Sequence, residues 1–164
     1  MLSVFDLLAM HPLVADLPAG WLHRLALRAR PVFHVTGFRL FREDAPADRL
    51  WLVHSGDVAI DLHVPGRGDI VVEHLGAGSV VGWSWLLPPY RYRFGAIVAE
   101  DFRAVEIDAV HVRSLIAEDA ELGRELESRL LAVAADRLQA ARNRLVELYA
   151  YPGDHGGTIG PGRM

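Results

Sequence analysis

Residues 36–60 read TGFRLFREDAPADRLWLVHSGDVAI, and they argue for strands rather than helices. Short apolar runs are broken by Gly37, by an acidic, proline-bearing turn and by Gly56, a rhythm that a helix does not sustain. Just beyond, Val58, Ile60 and Leu62 alternate with Ala59, Asp61 and His63. That period of two predicts a strand with one core face and one wet face. PVFHVT comes before this segment; the PGRG at 65–68 reads as a hairpin tip, and DIVVEHLG, FGAIVAE and RAVEID continue the pattern. Short strands at this spacing over residues 31–107 predict a β-barrel or jelly roll.

On either side the period becomes helical. Residues 1–30 read as N-terminal helices. Leu7, Leu8, Leu13 and Val14 supply one apolar face, and Leu22, Leu25 and Leu27 supply another after Pro18, a favourable first-turn residue. Asp108 suits the N-cap of AVHVRSLIAE. A long helix is predicted from about Glu121 to Tyr149, within C-terminal helices spanning 108–150. In it Leu131, Ala134, Leu138, Ala141, Leu145 and Leu148 recur at alternating spacings of three and four, a coiled-coil seam with small residues at two layers. The stripe could pack on the chain's own barrel, but its length and regularity favour a parallel homodimer. Residues 151–164, rich in glycine and proline, are expected to form a disordered tail. The expected fold is α+β: one domain, a jelly-roll-like double-stranded β-helix flanked by N-terminal helices and a long dimerisation helix.

Composition narrows the function classes. A net charge of −4 gives no broad attraction to nucleic acid or anionic lipid. All 17 basic residues are arginine. Cysteine is absent, which removes disulfides, thiolate metal sites and cysteine nucleophiles. The N-terminus lacks a basic leader and no stretch approaches membrane-spanning length, so a cytoplasmic protein is expected. No His-x-His pair, phosphate loop or Ser-His-Asp spacing stands out, so neither a metal site nor an enzyme is expected. His54, His63 and His74 read as solvated strand-face residues, with His74 the candidate if a haem were held.

A second stretch, VGWSWLLPPYRYRFGA at 81–96, is too apolar for a disordered loop and too long for a simple connection. Together with TGFRLFREDAPADRLWLVHSGDVAI and the glycine-led GAGSVVG, it resembles the cyclic-nucleotide-binding domains of the catabolite-activator type over roughly residues 8–150. On that resemblance, residues of about 78–95 form a phosphate-binding cassette. Gly82 matches the cassette glycine, and Arg93 matches the arginine that holds the cyclic phosphate, at the family's spacing. The chemistry agrees: glycine lets backbone approach a phosphate, and arginine offers a planar fork to two of its oxygens. A strand-edge arginine with its stem packed on Tyr92 or Phe94 is the plainer alternative.

Departures from the family pattern follow at once. The ribose-binding glutamate after the cassette glycine is here Trp83, which accepts no hydrogen bond. Losing a charged acceptor costs about 1.5–3 kcal/mol. Phe94 replaces the hydroxyl beside the arginine, and Ala140 and Ala141 replace the polar pair that meets the base. Two expectations result. In the first, a cyclic nucleotide such as cAMP or cGMP, or a related phosphate ligand, binds Gly82, Trp83, Ser84, Arg93 and Phe94. Trp85, Gln139, Arg142 and Asn143 would then meet its base or lid it, and the ligand would order the long helix. In the second, Trp83 and Trp85 fill the roll and the protein is a ligand-free homodimeric scaffold or adaptor. The Gly/Pro-rich tail cannot form a recognition helix, so any transcriptional output is expected through an unknown protein partner rather than direct DNA binding.

Overall fold

The computed structural model describes residues 1–150; the tail expected at 151–164 lies outside the described residues. Helix α1 (Val4–Ala9) begins with a capping box in which Ser3 and Asp6 satisfy each other's amides. Helix α2 (Ala19–Ala26) starts after Pro18 and buries Leu22 and Leu25. The strands follow as β1 (Ala29–His34), β2 (Arg39–Phe41), β3 (Arg49–Val64), β4 (Gly68–Leu75), β5 (Val80–Val81) and β6 (Gly95–Asp108), with a 3-10 turn at Trp83–Leu86. Helix α3 (Ala109–Glu118) is capped by the Asp108 carboxylate, which accepts from the Val110 and His111 amides. Helix α4 runs Ala120–Ala150.

All pairings are antiparallel. The order is β1-β6-β3-β4, with β2 also on β6 and β5 also on β3, so the long strands β3 and β6 are the spine of the roll. Its core is packed by Val53, Val58, Val98, Phe102 and Val105, all essentially without exposure. The chain divides into two compact units after Gly123. The first holds the roll with α1 to α3. In the second, Leu126 and Leu130 are buried, whereas Leu131, Leu138, Leu145 and Leu148 are exposed.

Three local expectations are corrected. RLWLVHSG and DVAIDLHV form one 16-residue strand, because Gly56 at φ +90° carries β3 through a bulge against β6. The expected wet face of that strand is dry at Ala59 and Asp61, which are 4% and 5% exposed. Asp61 can be buried because Arg39 comes to it across β6, Nη1 to Oδ1 2.8 Å. His63 and His74 are exposed as expected, on Asp69 and Asp57, but His54 is not: its Nε2 is buried without a hydrogen-bond partner among the described residues, and its ring meets His11 edge-on.

His11 ties the N-terminal segment to the loop before β5. Its Nδ1 accepts from the Leu13 amide, so Nε2 carries the proton and donates to the Ser79 carbonyl at 3.2 Å. Burial, reinforced by His54, lowers its pKa from 6.5 to about 4. An imidazole held neutral in the fold protonates first in the unfolded chain. Its stabilisation is therefore complete above about pH 6.5 and is lost as the pH falls towards 4, by about 2–3 kcal/mol. Urea unfolding at pH 7 and pH 4.5 should show the His11→Gln variant losing that much less than the parent across the interval.

Candidate functional site

Gly82 sits at the end of β5 with φ +86° and ψ 48°, the left-handed conformation that glycine adopts freely. The backbone is also pressed inward there. A Cβ at Gly82 would lie 3.1 Å from both the Arg49 carbonyl oxygen and Cζ3 of Trp51. The following 3-10 turn places Trp83 at the surface, Ser84 half-buried and Trp85 1% exposed. The Trp85 indole N–H is buried without a hydrogen-bond partner among the described residues, and the Trp85 carbonyl accepts from Arg113 Nη1 at 3.0 Å.

Residues 90–92 then pair with the acidic turn before β3. The Ala47 amide donates to the Tyr90 carbonyl, the Tyr92 amide to the Ala45 carbonyl and the Asp44 amide to the Tyr92 carbonyl. In this extended pairing neighbouring side chains take opposite faces. Tyr92 goes in and is 4% exposed, while Arg91 and Arg93 are exposed. Arg91 donates to the Asp44 carbonyl. Arg93 has no hydrogen bond or ion pair among the described residues, and Phe94 is exposed beside it.

The interior next to Gly82 is aromatic. Tyr92 stacks on Phe41 at 3.8 Å between ring centroids, and Phe41 in turn on Trp51 at 5.6 Å. The Tyr92 hydroxyl donates to the Arg49 carbonyl at 2.6 Å, and burial raises its pKa well above the usual tyrosine value. The Trp51 indole donates to Glu106 Oε1 at 3.2 Å, itself 7% exposed. Further along β6, Gly95 leaves room for the Arg39–Asp61 pair: a Cβ there would approach Arg39 Nη1 to 2.7 Å and Asp61 Oδ1 closer still. Hydrogen bonding to Asp61 keeps the Arg39 guanidinium firmly charged.

Gly82, Trp83, Ser84 and Trp85 are thus contiguous on one turn, whereas Arg93 and Phe94 face solvent some ten residues later. Gln139, Arg142 and Asn143 lie exposed on α4, with the Gln139 amide donating to Asn143. Phe41, Tyr92, Arg39 and Asp61 were not singled out from sequence. The acidic residue within an otherwise apolar alternation was the available signal for Asp61. Among the described residues no group of three or more His, Asp or Glu side chains is placed to hold a metal ion, and no helix is long and apolar enough to cross a membrane.

A six-stranded antiparallel roll with helices before and after it, a left-handed glycine and a short 3-10 turn define a domain of the jelly-roll class. The family model for the cyclic nucleotide-binding domain matches residues 34–119, and the chain belongs to that family. A CRP-like cAMP-activated global transcriptional regulator of Mycobacterium tuberculosis is 30% identical over 124 residues, which is 76% of this chain and 54% of that protein. The chain spans about half the length of the curated relatives it matches. Among solved structures, a Geobacter metallireducens chain classed with the cyclic nucleotide-binding proteins superposes with a TM-score of 0.75 at 27% identity, covering 84% of this chain and 99% of that one. A cyclic nucleotide-binding domain from Methylobacillus flagellatus shares the fold at 18% identity, with a TM-score of 0.72 over 95% and 85% of the two chains.

Proposed function

We propose that this chain is a regulatory, non-catalytic member of its family that works through protein association, its roll filled by its own side chains. The observation that carries this reading is Tyr92. It is buried beside the cassette glycine, stacked on Phe41 and bonded to the Arg49 carbonyl, while Arg93 faces solvent. Two further features agree. Arg39 is already paired with the buried Asp61, so its guanidinium is not free to take a phosphate. Trp83 offers no acceptor to a ribose.

Association would run through α4, whose seam leucines 131, 138, 145 and 148 are all exposed in the single chain. A second copy in parallel register would cover them, with Ala134 and Ala141 setting the close layers. Sedimentation should give a dimer, and Leu138→Arg a monomer with unchanged unfolding of the roll. A parent chain that sediments as a monomer would remove the seam from the proposal.

A second reading is favoured by the name of the relative described as cAMP-activated and by a neighbouring regulatory domain of Toxoplasma gondii PKA solved with cAMP. In it, cAMP or cGMP enters the roll, Tyr92 leaves the interior and Arg93 turns in. Titration with each nucleotide, followed by tryptophan emission and by calorimetry, separates the two. The closed roll predicts no saturable signal. Micromolar binding that disappears in Arg93→Ala would establish the sensor instead.

A further inference from the structure

An open cleft of about 480 Å³ lies in the first unit, on the side of the roll where the end of α2 runs into β1 and the end of β6 runs into α3. We propose that this cleft is a binding site for an oxyanion-bearing small molecule, held by Arg30, Arg49 and Arg28. Its floor is Glu106, whose side chain is 9% exposed and fixed by the Trp51 indole. Glu106 Oε2 accepts from Nε of Arg30 at 2.7 Å, and Oε1 lies 3.8 Å from Nη1 of Arg49.

That arrangement holds Arg30 by its inner nitrogen and leaves both terminal nitrogens without a hydrogen bond among the described residues. A guanidinium anchored in this way presents a pre-organised planar fork, the geometry that matches a carboxylate or phosphate. Arg28 also lines the cleft, and its guanidinium has no partner among the described residues. Two further carboxylates line it. Asp108 is turned to the α3 amides and Glu106 is held by the arginines and the Trp51 indole, so Asp48 is the carboxylate with no such engagement among the described residues, and three arginines face three carboxylates in all. Leu27 and Val110, both largely exposed, give the rim an apolar character suited to the body of a small organic ion. The volume falls in the range of small-molecule sites, about 300–1,000 Å³. The cleft adjoins the aromatic interior through Trp51, whose indole donates to Glu106, but it does not rest on the closed-roll reading.

Citrate and inorganic pyrophosphate serve as probes, with sodium chloride at matched ionic strength as control. The readouts are the ¹H–¹⁵N signals of Arg30 Nε and the Trp51 indole, which meet at Glu106. Saturable shifts with citrate alone assign a carboxylate ligand, with pyrophosphate alone a phosphate ligand, and with both a general oxyanion site. Arg49→Ala should weaken binding about tenfold or more. Glu106→Gln supplies a test of sign. Removal of a negative charge tightens anion binding on charge alone, whereas loss of the anchor for Arg30 weakens it, and weakening is expected. Tighter binding in that variant would overturn Glu106 as a positioning residue. The site itself is overturned if neither probe moves the two signals beyond the chloride control up to about 10 mM. It is equally overturned if the shifts persist unchanged in the Arg28→Ala, Arg49→Ala double variant.

Discussion

Gly56→Ala should unfold the roll or cost it about 3–5 kcal/mol, the range of the most severe single substitutions. Gly56 has φ +90°, which an L side chain adopts only under strain, of order 1–3 kcal/mol. The added methyl would also meet backbone. It would lie 2.8 Å from the Asp101 carbonyl carbon and 2.9 Å from the Glu100 oxygen, with the Asp101 oxygen nearer still. Those atoms belong to β6, the partner of β3, so relief would require parting the two strands that form the spine. Urea unfolding checks this directly. Gly37→Ala is the internal comparison: it has a similar φ of +94° but open space around the Cβ, so it should bear only the conformational strain. Equal losses at the two sites would show that the close approach to β6 is unimportant.

Tyr92→Ala should cost about 3–5 kcal/mol, and Tyr92→Phe only about 1 kcal/mol. The first removes a buried ring stacked on Phe41 and leaves a cavity beside that ring. The second keeps the stack and loses only the bond from the hydroxyl to the Arg49 carbonyl. The Arg49 carbonyl then loses that donor, which is why the loss is not zero. The contrast between the two variants tests whether this residue fills the roll, as the proposed function requires. A small loss in Tyr92→Ala would mean that the ring is peripheral, and the case for a closed interior would fall with it. Parallel chemical unfolding of the three proteins at pH 7 gives the comparison.

Much of the fold was legible because it is written in local pattern. The Asp108 cap and helix α3 follow from a side chain that reaches amides two and three residues away. The length of α4 follows from its helical period. The hairpin at 65–68 is declared by its glycines, and β3 and β4 pair across it from Val64 and Gly68. Gly82 stood out through the family resemblance, and the structure gives it the left-handed conformation that glycine adopts freely. The candidate interior was less legible. The family resemblance pointed to Arg93; in the structure Arg93 is exposed and its neighbour Tyr92 is buried. One residue of register exchanges the two faces of an extended segment, and register here is set by hydrogen bonds to residues 44–47, more than half the roll away in sequence.

The amino-acid sequence by itself determined the order of elements, the strand-rich middle, the helical ends and the glycines on which the turns depend. Each of these is decided within a few residues by backbone freedom, capping or the period of apolar side chains. Only the tertiary structure decided which of these side chains are buried and what they meet. Arg39 and Asp61 are 22 residues apart and meet because β2 and β3 both pair with β6, at Ile97 and Gly95. Phe41, Trp51 and Tyr92 come from three separate segments and stack for the same reason. Whether a charged or an aromatic side chain points inward depends on register between distant strands. Solvent exposure and pairing then settle its energy, and neither quantity exists until the sheet has closed.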